Sequence, residues 1–134
     1  MKTYHGSCHC GAVQFETDGD LTLGTHKCNC TYCRKVRLWS LEATAVQFRL
    51  LAGSDVLRDY QGGNAVAHHF FCSICGLHPF DRIDMPNMTG HVYYNVSLAC
   101  LDDVSPEEII QAPVRYYDGL NDRWGERPAE VLHL

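Results

Sequence analysis

No stretch of this sequence stays apolar for the roughly 18 residues that a membrane-spanning helix needs, so no membrane partner is expected. The opening MKTYHGSCHC has no apolar core of the kind a secretory signal carries. Positive charge is scarce as well. Eleven Lys and Arg face sixteen Asp and Glu, for a formal charge of −5. That leaves no basic footprint for nucleic acid, and ionised thiols would make the chain more negative still. Repeats, low-complexity tracts and linkers are missing, and helix signals are few. The 134 residues, 46% hydrophobic and 20% charged, fit one domain over 1–134.

Cysteine is what the chain has in excess, with eight residues. In a chain that opens without an export signal, this points to a reducing, cytoplasmic setting. There, cysteine clusters signal metal binding or catalysis more often than disulfides.

Glycine and proline are spread as punctuation between short alternating segments, the pattern of a mostly β fold of antiparallel strands. Strands are expected over 12–17, 23–28, 38–43, 47–52, 56–60, 65–71, 91–98 and 114–117. Val13 and Phe15 share one face, as do Phe48 and Leu50. Ser105-Pro106-Glu107-Glu108 reads as an N-cap, a proline at the first helical position and acids in the first turn. Ile109 and Ile110 are expected to face the core, and Pro113 to end that short helix. Residues 31–36 can form one more turn.

Cys8-His9-Cys10 is a C-x-C pair. On an extended strand, both sulfurs point to one face. Cys72-Ser73-Ile74-Cys75-Gly76 is a knuckle whose tight turn converges two sulfurs, with Gly76 free to take positive φ. Together the pairs supply four thiolates, a closed tetrahedral site of the structural kind. Binding there would join distant segments and become folding energy. The competing reading is a redox dithiol at Cys72 and Cys75, which Gly76 and Pro79 disfavour by breaking the helix such motifs open.

Cys28-Asn29-Cys30-Thr31-Tyr32-Cys33 places three thiols in six residues. Three protein ligands and an open position are the pattern of a catalytic zinc. Three thiolates make zinc a weak Lewis acid that suits a thiol ligand better than hydroxide. Lys27, Arg34, Lys35 and Arg37 surround the cluster and can lower thiol pKa values or steer an anion. Alternatively, His26 or Cys100 closes the site, although Cys100 in its apolar run reads as a core residue.

Taken together, these motifs resemble the glutathione-dependent formaldehyde-activating enzyme family, which includes the centromere protein V domain. The resemblance runs from Gly6-Ser7-Cys8-His9-Cys10-Gly11 through Lys27–Arg34 and Phe70–Gly76. It continues over Tyr94–Asp103 and closes on Tyr117–Trp124. It implies zinc-stapled antiparallel β-sheets related to B-type methionine sulfoxide reductases, with one or two short helices. It also implies a structural zinc on Cys8, Cys10, Cys72 and Cys75. A second zinc, labile or empty in a purified sample, falls to Cys28, Cys30 and Cys33, the catalytic cluster. The chain looks like a shorter branch than the named enzyme.

The function expected on this basis is a carbon–sulfur lyase type of enzyme. It would act on adducts of a small thiol such as glutathione with formaldehyde, another aldehyde or another electrophile. The alternative is a non-catalytic zinc module that binds a partner protein. A sulfoxide reductase is a third reading, for which Cys100 is a poor redox cysteine. His68, His69 and His78 are candidates for proton transfer or metal ligation, with surface or packing roles beside them. Arg82 can pair with a substrate carboxylate or simply be solvated. Trp39 and Trp124 can line a pocket or fill the core, and Asp118-Gly119 marks a turn.

Overall fold

Short alternating runs give ten strands among the residues described by the computed structural model, which are 1–63, 65–85 and 92–134. In chain order the elements are β1 (Lys2–Ser7), β2 (Gln14–Gly19), β3 (Thr25–Cys28), α1 (Thr31–Val36), β4 (Trp39–Thr44) and β5 (Phe48–Ala52). There follow β6 (Leu57–Tyr60), β7 (Ala67–Cys72), β8 (Phe80–Ile83), β9 (Tyr93–Ser97), α2 (Pro106–Gln111) and β10 (Val114–Tyr117). The fold is mostly β, as the patterning indicates.

Two sheets form. The smaller has the order β1-β2-β5 and the larger β10-β3-β4-β9-β8-β7-β6. Every pairing is antiparallel except β10 on β3, which is parallel. The parallel edge departs from the expected all-antiparallel arrangement. A hairpin turn cannot deliver a parallel partner, and β10 arrives only after a long excursion of the chain.

The core lies where the two sheets face each other. Val13, Phe15 and Val96 are fully buried. Phe15 stacks on Phe48 at 5.7 Å and meets Phe80 edge-on at 5.8 Å, and Phe48 stacks on Tyr94 at 4.3 Å. Burying each such ring contributes about 1.5–3 kcal/mol. Gly6 allows the close approach of β1 to this cluster. A Cβ there would sit 2.2 Å from the Phe15 ring and 2.6 Å from the Cys100 carbonyl.

Several boundaries differ from the sequence reading. Leu23 is 71% exposed and ends a 3₁₀ turn, Leu21–Leu23, so β3 begins only at Thr25. The Ser105 hydroxyl caps α2 by accepting from the Glu108 amide at 3.1 Å. Ile109 packs on the core, but Ile110 is 77% exposed because a short helix turns only one of two successive residues inward. β1 and β8 were not expected. Of the strand expected over 91–98, His91 lies outside the described residues. No helix among the described residues is long and apolar enough to cross a membrane.

Candidate functional site

The cysteines collect into two groups. In the first, the ligand atoms of Cys8, Cys10, Cys72 and Cys75 all lie within 4.8 Å of one another. Cys8 follows β1, but His9 and Cys10 lie in a turn rather than on a strand. The sulfurs converge because Gly11, at φ 80°, donates its amide to the Cys8 carbonyl at 3.0 Å and folds the chain back. The second pair is built as expected. Cys72 ends β7, and Gly76, at φ 76°, donates to the Cys72 carbonyl at 2.7 Å.

The sulfur spacing fits a metal. Cys8 lies 3.6 Å from Cys10, and Cys10 lies 3.7 Å from Cys72. A tetrahedron with metal–sulfur bonds of about 2.3 Å has edges of about 3.8 Å. Amide donors also favour thiolate here. Hydrogen bonds from the Leu77 amide first, and the Cys10 amide second, bring Cys75 down to about 6. The Val13 amide points at Cys8 Sγ from 3.3 Å.

The second group is Cys28, Cys30 and Cys33, again within 4.8 Å of one another. Cys28 ends β3, Cys30 is the N-cap of α1, and Cys33 lies in its first turn. The Cys30 amide donates to Cys28 Sγ at 3.3 Å and the Cys33 amide to Cys30 Sγ at 3.4 Å. Protons are shared unequally among the three sulfurs. Hydrogen bonds from the Cys28 and Cys33 thiols hold Cys30 far below the usual thiol range. Donating to Cys28 and Cys30 pushes Cys33 far above it. A bound cation would displace the thiol protons that the three sulfurs share.

Neither His26 nor Cys100 joins this group. His26 packs on Tyr117 at 5.3 Å, and burial followed by the nearby Arg115 pushes its imidazole down to about 4. Cys100 is 5% exposed in the core, and burial raises its thiol to about 11, which makes it a poor nucleophile. All eight cysteines are free of disulfides.

One wall of the second group was hidden in the sequence. Asn29, between two of the cysteines, is buried and donates to Asp118 Oδ1 at 2.7 Å. Its own side-chain oxygen accepts from the Leu120 amide at 3.0 Å. Asn121 holds the same carboxylate through bonds of 3.0 and 2.9 Å. The turn this creates presses Gly119 onto the site. A Cβ at Gly119 would sit 2.7 Å from Cys28 Sγ and 2.7 Å from the Trp124 ring. Asp118-Gly119 is thus a turn with a task. Trp124 is 54% exposed beside it, anchored by its indole N–H to Asp122 at 2.6 Å.

The four neighbouring cations divide. Arg34 and Lys35 are exposed on α1 next to the cluster. Lys27 precedes Cys28 on a strand and so points to the opposite face. It lies 4.7 Å over Trp39 and donates to the Leu134 carbonyl at 2.9 Å. Arg37 donates to the His133 carbonyl at 2.6 Å, and with Lys27 and Trp39 it lines a cavity of about 320 Å³. Lys27 therefore does not steer ligands to the sulfurs directly.

The histidines also divide by strand face. His68 stacks on Phe70 and pairs with Asp59 and Asp84. Asp84 also takes Arg82 through bonds of 2.7 and 3.1 Å, which leaves that guanidinium committed. His69 and His78 converge on Asp81, a residue of β8 that the sequence reading passed over.

The family model for the glutathione-dependent formaldehyde-activating enzyme matches residues 3–117. A crystal structure of a protein from Rhodobacter sphaeroides is 28% identical, with a TM-score of 0.68, over 83% of this chain and 99% of that one. With the sulfur groups in place and the match spanning nearly the whole fold, the chain belongs to the glutathione-dependent formaldehyde-activating enzyme family.

Proposed function

We propose that the protein is a zinc-dependent enzyme of the carbon–sulfur lyase type. It acts on adducts of a small thiol such as glutathione with formaldehyde or a related electrophile. The observation that carries this reading is the inequality of the two sulfur groups. The first has four ligands and is closed, whereas no fourth His, Cys, Asp or Glu joins Cys28, Cys30 and Cys33 among the described residues.

Zinc is the metal that best suits both donor sets, because thiolates are soft ligands and tetrahedral sites are its habit. Cys8, Cys10, Cys72 and Cys75 would hold a structural ion, and Cys28, Cys30 and Cys33 a second one. The second ion would supply a resting place for the substrate sulfur as a thiolate. In the forward direction the sulfur adds to the aldehyde carbon. The S–C bond forms, the C=O bond becomes C–OH, and the thiol proton ends on that oxygen. Arg34 and Lys35, exposed beside the cluster, attract a ligand that carries carboxylates. The chain's own amides, those of Cys30 and Cys33, donate to the Cys28 and Cys30 sulfurs and would help hold them as thiolates.

A panel of small thiols, glutathione first, titrated into zinc-loaded protein tests the reading. Binding that needs the second metal and is lost in Cys30→Ser supports it. Two full equivalents of zinc with no thiol binding at millimolar concentration would favour a non-catalytic module that docks a partner protein.

A further inference from the structure

We infer that His69 and His78, joined through Asp81, are positioning residues for the Cys28/Cys30/Cys33 site, acting through Tyr32. The inference rests on the reading that these three cysteines hold a metal.

Helix α1 carries Cys33 and is capped by Cys30, yet it has six residues and buries none of them. A helix this short does not hold itself in water. Something outside it must fix the turn that presents two of the three sulfurs. Tyr32 is the half-buried side chain that reaches out of that turn. Its ring stacks on His69 with centroids 3.6 Å apart and planes at 17°. It meets His78 edge-on at 5.6 Å and 89°, and Tyr60 stacks beyond it at 6.0 Å.

These partners come from β6, β7 and the knuckle loop, while Cys28 ends β3. In the larger sheet, β4, β9 and β8 lie between β3 and β7. The three sulfurs are therefore held by two separate anchors. Asn29 and the 118–121 turn grip the Cys28 end. Tyr32 grips the Cys30–Cys33 end.

The second anchor is itself braced. Asp81 is 1% exposed, and both imidazoles bond to its Oδ1, His69 through Nδ1 at 2.6 Å and His78 through Nε2 at 2.7 Å. Burial works to raise this carboxyl, but the two histidine bonds outweigh it and keep the group ionised. An ionised carboxylate only accepts, so each imidazole is fixed in tautomer and in plane. A ring fixed in this way offers Tyr32 a rigid face.

The three side chains could also be read as a metal site, since their ligand atoms lie within 4.8 Å of one another. Their spacing argues otherwise. Two ligands on one tetrahedral zinc at about 2.0–2.1 Å would stand about 3.3 Å apart. The observed 2.6 and 2.7 Å are hydrogen-bond lengths, whereas the Cys8–Cys10 and Cys10–Cys72 spacings are metal-edge lengths.

The test is a cobalt titration against a competing chelator, read by thiolate-to-cobalt charge-transfer absorption and by metal content. It compares wild type, His69→Gln, Tyr32→Ala and the double variant. Glutamine keeps an N–H donor for Asp81 and removes the aromatic face. Both single variants are expected to weaken the second equivalent of metal about 10- to 100-fold, the usual cost of losing a residue that orients a ligand. The first equivalent should stay at wild-type affinity. Because His69 acts through Tyr32, the double variant should bind no more weakly than Tyr32→Ala alone.

Wild-type affinity in His69→Gln, or additive losses in the double variant, overturns the inference and leaves the proposed function standing. A wild-type protein that takes up one metal only overturns both. If His69→Gln loses both metals through misfolding, Tyr32→Phe against Tyr32→Ala decides. Phenylalanine keeps the stack and should bind like wild type, and equal losses in the two would sink the idea.

Discussion

Cys8 and Cys72 are 2% and 0% exposed, while Cys28, Cys30 and Cys33 are all half-buried. The two groups use the same chemistry but sit differently in the fold. The four-sulfur group joins the end of β1 in the small sheet to the end of β7 in the large one, with sixty-one residues between Cys10 and Cys72. Cys8 and Cys72 are part of the core, whereas Cys75 is half-buried and Cys10 lies exposed at the rim. The three-sulfur group sits where β3 passes into a surface helix. Its sulfurs are braced from two directions, and no fourth His, Cys, Asp or Glu joins them among the described residues. The comparison teaches that ligand number follows how many chain segments meet, since two distant cysteine pairs build the first group and one short run builds the second. A group that must fasten two sheets is closed by the sheets themselves, and a group at a strand-to-helix corner can remain incomplete.

The comparison is broken most severely by removing one sulfur from each group in turn. Cys72→Ser should lose the structural ion and with it the link between the sheets, so that the chain fails to fold or melts at least 10 °C lower. Cys30→Ser should bind one metal fewer yet melt within a few degrees of wild type. Thermal denaturation with metal analysis separates the two outcomes, and equal destabilisation would remove the distinction.

Gly119→Ala comes next. Its methyl group would meet Cys28 Sγ and Trp124 at 2.7 Å, so one of them must move. Affinity for the second metal should fall by about an order of magnitude, a cost of about 1.4 kcal/mol, with the first site untouched. Chelator competition measures this. An unchanged affinity would mean that the turn at 118–121 yields without disturbing the sulfur.

The smallest effect concerns the small sheet alone. Hydrogen bonds from Arg49 first, and Thr3 second, lower the Asp18 carboxyl from its usual 3.8 to about 2. A folded-state pKa below the unfolded one means that the contribution is present above about pH 4. It is lost as pH falls towards 2. The difference in urea midpoint between wild type and Asp18→Asn should therefore be largest near neutral pH and close between about pH 4 and pH 2. A difference that grows in acid would contradict the assignment.

The cysteine spacing made both sulfur groups legible before any fold was known, because C-x-C and C-x-x-C fix which sulfurs are neighbours. The strands with regular alternation were legible too, and Val114–Tyr117 has the expected bounds. What was not legible depended on partners distant in sequence. β1 offers one large apolar residue, Tyr4, and declares itself only by pairing with β2. β8 carries a buried aspartate, which argues against a core strand until His69 and His78 are placed beside it. The Cys8–Cys10 turn was misread as a strand because the i, i+2 rule and a glycine-closed turn both bring the sulfurs together. Asn29 carried no signal at all. Its role exists only because Asp118 and Leu120 fold back onto it.

That fold-back bears on how the molecule is made. Asn29 and Leu120 are 91 residues apart, whereas every ligand of the four-sulfur group has been synthesised by Cys75. A chain emerging from the ribosome can thus close its fastening before the wall of its reactive corner exists. During that interval Cys28, Cys30 and Cys33 stand without Gly119 or Trp124 beside them, at their most exposed to oxidants and stray metals. The parallel strand β10, laid against β3, leads straight into the turn at Asp118 that builds this wall.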